Sequence, residues 1–200
     1  QRCGITTPLL IAHSYGVPIA LEWARRRPVR GLVLAAGGTH ELDPWWEQPL
    51  MRSMRVGGRQ LFRSPWLQAL NRRWISTSNE PAVDAFCRES PIPVELEPYR
   101  SMEVFWGYNF HRRPTPLHWP NIPALILSGG HDPMFNRAMA EALAARFNQG
   151  RHLHLPNCGH LLMVEEPQRV NQAIADWMTS AELLVEAPHN PTSDHPNPGA

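Results

Sequence analysis

The stretch that most constrains the fold is Leu9-Leu10-Ile11-Ala12-His13-Ser14-Tyr15-Gly16, an apolar run broken at a serine between small residues. Four apolar positions in a row read as a short buried strand, and the residues after Ser14 read as a helix. A serine at so tight a strand-to-helix turn is held in a strained backbone geometry, with its hydroxyl projecting from the end of a parallel sheet. The first amides of the next helix point at the same place. Small residues two positions away on each side, Ala12 and Gly16, let strand and helix approach. The pattern is A-x-S-x-G rather than G-x-S-x-G, and alanine fits if its φ is negative.

The helix after Ser14 is read from Val17, Ala20, Leu21 and Ala24 on one face, with Pro18 in its first turn, three arginines (Arg25, Arg26, Arg27) at its end and Pro28 as its stop. Residues 31–36 (GLVLAA) then read as a second buried strand. Strand, helix and strand in this order make a crossover unit with parallel strands, so the class is α/β. The chain has 200 residues, 42% of them apolar, and a net charge of +1, enough for one core and without the basic excess of a nucleic-acid binder. No run approaches the roughly eighteen apolar residues of a membrane span. The cytoplasm is the expected compartment, and because the chain opens at Gln1, before a strand that reads as internal, an upstream portion is expected too.

Residues 40–118 differ in character. Trp45, Trp46, Trp66, Trp74 and Trp106 fall there, with Trp119 at the border, and apolar spacing is helical. Ser64-Pro65 reads as the start of a helix with Trp66, Leu67, Leu70 and Trp74 on one face; Pro81 opens a second carrying Val83, Phe86 and Cys87; a third follows Pro98, with Tyr99, Met102, Phe105 and Trp106. These aromatics serve packing and can also line an apolar pocket, for which Trp45, Trp106 and His13 are the candidates. Arg52, Arg55, Arg59 and Arg63 recur at helical spacing and read as a solvated face.

The sheet resumes at residues 122–128 (IPALILS) and ends in Gly129-Gly130-His131-Asp132-Pro133, which puts an acid at the carboxyl edge where Ser14 is expected. An alanine-rich helix over 138–147, a strand over 152–155 and the loop Pro156-Asn157-Cys158-Gly159-His160 follow. The last helix has Pro167 in its first turn and Val170, Ile174, Trp177 and Met178 on one face. The proline-rich end, 183–200, reads as a disordered tail. Cys3, Cys87 and Cys158 are too few and scattered for a disulfide framework or metal site. His152 and His154 share a strand face without an evident third ligand, so no metal or cofactor is expected.

Taken together, AHSYG at a strand-helix turn, SGGHD after an apolar strand and NCGH before a terminal helix resemble the C-terminal part of an α/β-hydrolase-fold serine hydrolase, over residues 8–179. The resemblance implies a partial parallel sheet, the last four of the family's eight strands, with a helical cap insertion and the N-terminal strands missing. It divides the chain into core (1–39), cap (40–118), core (119–182) and tail (183–200). It implies Ser14 as nucleophile, His160 as general base and Asp132 as its orienting acid, with Glu41 and Asp43 as the competing acids. The Tyr15 backbone amide would be half of the oxyanion hole, and the other half would come from an upstream loop. The implied substrate is a small-molecule carboxylic ester. A carbon-carbon bond hydrolase or a non-catalytic binding protein of the same fold are the alternatives. Epoxide hydrolases of this fold use aspartate where this chain has Ser14. Residues 1–200 alone, with an open edge at the first strand, are expected to aggregate or be inactive. Asn109, His111 and Asn136 are not distinguished from surface residues.

Overall fold

The computed structural model describes residues 5–38, 66, 69–70, 76, 78, 80–89, 119 and 121–183. Within them the order is β1 (Leu9–His13), α1 (Gly16–Arg26), β2 (Gly31–Ala35), α2 (Glu80–Glu89), β3 (Ala124–Gly129), α3 (Arg137–Ala144), β4 (Gly150–Leu155), α4 (Leu162–Glu165) and α5 (Pro167–Ser180). The four strands form one sheet in the order β1-β2-β3-β4 and every pairing is parallel. The fold class is therefore α/β, as expected.

The apolar runs of β2 and β3 are continuous because both strand faces are covered. On one face Leu32, Leu34, Ala124 and Ile126 meet Val17, Ala20 and Leu21 of α1 and Met139, Ala140 and Leu143 of α3. On the other, Val33, Ala35, Leu125 and Leu127 pack with Leu155, Leu162, Val170 and Trp177. Residues two apart share a layer, as the strand period requires. The expected face of α5 is correct: Val170 and Trp177 are buried and Ile174 and Met178 pack alongside them. The third helix starts with Asn136, whose side chain accepts from the Met139 amide at 3.0 Å, so this residue is a helix cap.

Among the described residues β1 pairs on one side only, with β2. Ile11 on that edge is 63% exposed, and Ile19 and Trp23, one turn apart on α1, are exposed as well. In the insertion, α2 covers the segment read from Pro81, and Val83 is its buried residue while Phe86 is exposed. Trp66 and Leu70 are helical, as the spacing predicts, and both are exposed, at 69% and 53%. Trp45, Trp74, Trp106, the arginine stripe, the helix after Pro98 and the tail from 184 lie outside the described residues, as do Cys3, Glu41, Asp43, Asn109 and His111. No described helix is long and apolar enough to cross a membrane.

Candidate active site

Because all strands run the same way, the loops after β1, β3 and β4 emerge at one edge, and each carries one of the residues singled out above. Ser14 is at φ 51°, the left-handed region, which costs a residue with a Cβ about 1–2 kcal/mol. Tertiary contacts hold it there. The Ser14 amide donates to the Ala35 carbonyl at 2.8 Å, and the Ser14 carbonyl accepts from the Val17 amide at 3.0 Å. Ala12 is not among the residues with positive φ, and a Cβ at Gly16 would lie 3.7 Å from its methyl, so the alanine variant of the motif fits without strain.

The loops after β3 and β4 are locked together through their backbones. Gly130 donates to Leu155 at 2.8 Å and His131 to Cys158 at 2.9 Å. A Cβ at Gly129 would stand 2.2 Å from the Gly159 carbonyl oxygen, and one at Gly130 would stand 2.2 Å from that of Pro156. The two glycines are needed for this close approach. Asp132 is buried, and its Oδ1 accepts from the amides of Met134 (2.9 Å) and Phe135 (3.1 Å), which leaves Oδ2 to face the histidine.

His160 joins the three loops. Its Nδ1 is 2.9 Å from Asp132 Oδ2 and its Nε2 is 2.8 Å from Ser14 Oγ. A carboxylate only accepts, so Nδ1 carries the proton and Nε2 is the acceptor for the serine hydroxyl. Ser14, Asp132 and His160 are thus brought together; Tyr15 sits at the start of α1 beside Ser14.

His13 is partly buried against the histidine. Its ring centroid lies 4.9 Å from that of His160, tilted by 51°, and its Nε2 donates to the His160 carbonyl at 2.9 Å. Burial pulls its pKa below the ordinary 6.5, with the charge of a protonated His160 acting the same way, while the bond to the carbonyl opposes them. The unfolded chain then binds this proton more readily than the folded one, so the contribution is intact above pH 6.5 and is lost as pH falls through the lower folded value. We expect the melting temperature to decline from pH 7.5 to pH 5.5, and His13→Gln, which keeps a donor but cannot titrate, to flatten that decline. Parallel melting curves for parent and variant would refute this.

Cys158 is fully buried, and burial, followed by the neighbouring charges of Glu166 and Glu165, pushes its thiol up to about 12. It is therefore not a nucleophile at neutral pH. His152 and His154 do share a strand face, and the fully buried Ser128 hydroxyl lies between them, 2.7 Å from His152 Nε2 and 3.0 Å from His154 Nδ1. That partner was not anticipated: only the β3–β4 register, which sets Ser128 opposite His154, reveals it. Also missed was Glu165, a buried carboxylate in the turn after His160. Its one sequence signal is an acid set among apolar residues at the start of a helical segment.

The alpha/beta hydrolase family model matches residues 2–173. The chain belongs to the alpha/beta hydrolase family. Among curated members it is 22% identical over 153 residues to epoxide hydrolase srdG of Neurospora crassa, covering 74% of this chain and 40% of that protein. It is 21% identical over 114 residues to bifunctional epoxide hydrolase 2 of Rattus norvegicus, covering 52% and 20%. Among solved structures, an esterase from Exiguobacterium antarcticum superposes with a TM-score of 0.73 at 16% identity, over 90% of this chain and 69% of that one. A thermophilic esterase from Thermogutta terrifontis gives 0.68 at 22% identity, over 88% and 66%. The chain thus spans less than half the length of these curated relatives and about two thirds of the structural ones.

Proposed function

We propose that the protein is a serine hydrolase that cleaves a carboxylic ester, with a small or lipid-like acyl group, through an acyl-enzyme. The observation that carries this reading is the unbroken chain from Ser14 Oγ to His160 Nε2 and from His160 Nδ1 to Asp132 Oδ2, at 2.8 and 2.9 Å. As Ser14 attacks the acyl carbon, His160 takes the hydroxyl proton and then delivers it to the departing alkoxide. Asp132 holds the ring in the required tautomer and offsets the imidazolium charge. Water repeats the sequence in reverse to release the acid. The Tyr15 amide is one donor to the oxyanion, and His13 is proposed to line the acyl pocket.

The two epoxide hydrolases among the relatives favour a second reading, epoxide opening. Its chemistry disfavours a serine. Attack by a serine oxygen on an epoxide carbon forms an ether, which has no carbonyl for water to attack, whereas a carboxylate forms a hydrolysable ester. An oxygen nucleophile paired with a neutral histidine suits acyl transfer instead. A fluorophosphonate probe tests the proposal: the intact protein is expected to become labelled at Ser14, and the Ser14→Ala variant to remain unlabelled. Native, folded protein that resists the probe while binding an ester without turnover would establish the non-catalytic alternative.

A further inference from the structure

Glu165 lies in α4, five residues beyond His160, with 4% of its surface exposed. Its Oε2 accepts from the Gly159 amide at 2.9 Å and its Oε1 from the Leu161 amide at 3.2 Å, the residues on either side of His160. Oε2 also accepts from the amide (3.2 Å) and the hydroxyl (2.5 Å) of Ser78, in the segment inserted between β2 and β3. The helix that follows Ser78, α2, packs on α4. We propose that Glu165 is a positioning residue for His160, and that Ser78 docks the insertion onto the same carboxylate, so that the aim of the histidine depends on how the insertion is seated.

This role for Glu165 rests on His160 being the base of the reaction. A carboxylate is costly to bury unless hydrogen bonds satisfy it, and here it receives three backbone amides and a hydroxyl. Packing alone would be served as well by an apolar side chain. What an apolar residue cannot do is hold the amides of the residues on either side of His160, in the Cys158–Gly159 and His160–Leu161 peptides, and so constrain the backbone that carries its Cα–Cβ bond. An error of about 1 Å in such a group can lower a rate by about 100-fold. The Ser78 donors come from 87 residues upstream of Glu165, from the part of the chain expected to cover the site.

Glu165→Gln and Ser78→Ala in the intact protein test this. Glutamine keeps one acceptor and turns the other oxygen into a donor facing an amide N–H. For Glu165→Gln we expect kcat for a p-nitrophenyl ester and the rate of fluorophosphonate labelling to fall together by about 10- to 100-fold, with KM within about twofold. Ser78→Ala leaves both loop amides bonded and removes one donor from the insertion, so a smaller loss of about three- to tenfold in both rates is expected. A lowered melting temperature with parental labelling per folded molecule would mark the carboxylate as merely structural and overturn the proposal. If Glu165→Gln does not fold, Ser78→Ala decides, and a parental labelling rate there overturns it. Should Ser14→Ala retain parental turnover, the serine-hydrolase reading itself fails; if turnover requires Ser14 while both other variants label at the parental rate, only the positioning role of Glu165 fails.

Discussion

Replacing Ser14 with alanine in the intact protein is expected to lower ester turnover by about 10⁶-fold, the loss typical when the nucleophile of a serine-histidine-acid set is removed. The variant is expected to fold. Alanine bears the same Cβ at the same positive φ, so the strain is unchanged, and the direct loss is one hydrogen bond to His160, worth about 1 kcal/mol. Initial rates on p-nitrophenyl esters, with thermal melts as a control for folding, measure this. Turnover within tenfold of the parent would remove Ser14 from the mechanism.

The second large effect is expected from Asp132→Asn, with a loss in kcat of about 10⁴-fold. The local hydrogen bonds dictate how the asparagine sits. Its carbonyl oxygen takes the place of Oδ1 and keeps the bonds from the Met134 and Phe135 amides, so its NH₂ must face His160 Nδ1. That nitrogen then becomes an acceptor, the ring proton moves to Nε2, and Ser14 loses its base. Stability should change little, since the two amide bonds that shape the turn survive. A variant that keeps most of its kcat would show that the tautomer of His160 is not set by Asp132.

The parts of the site that can be read from the amino-acid string are those with a local cause. Ser14 is announced by small neighbours at a turn, Asp132 by two glycines after an apolar strand, and His160 by its place between a strand and an amphipathic helix. Each signal spans fewer than ten residues. Ser128 and the docking half of Glu165's role escape such reading because the partners are distant: Ser78 is 87 residues from Glu165, and His152 is 24 from Ser128. The role of Gly129 and Gly130 is half visible, as a break after a strand. Their reason, contact with the backbone of the next loop, needs the fold. The acid alternatives Glu41 and Asp43 lie outside the described residues, and the geometry at Asp132 stands without reference to them.

Ser14 and His160 are 146 residues apart, and their contact closes most of the chain into a loop. Such a contact is slow to form, because the entropy of a long loop must be lost before anything rewards it. During synthesis, β1, α1 and β2 can emerge and pair while the residues of the β4 loop are still unmade, and Ser14 is then an ordinary alcohol with no base. On the proposed reading, Ser14 of a nascent chain gains its base only once the loop after β4 has been made.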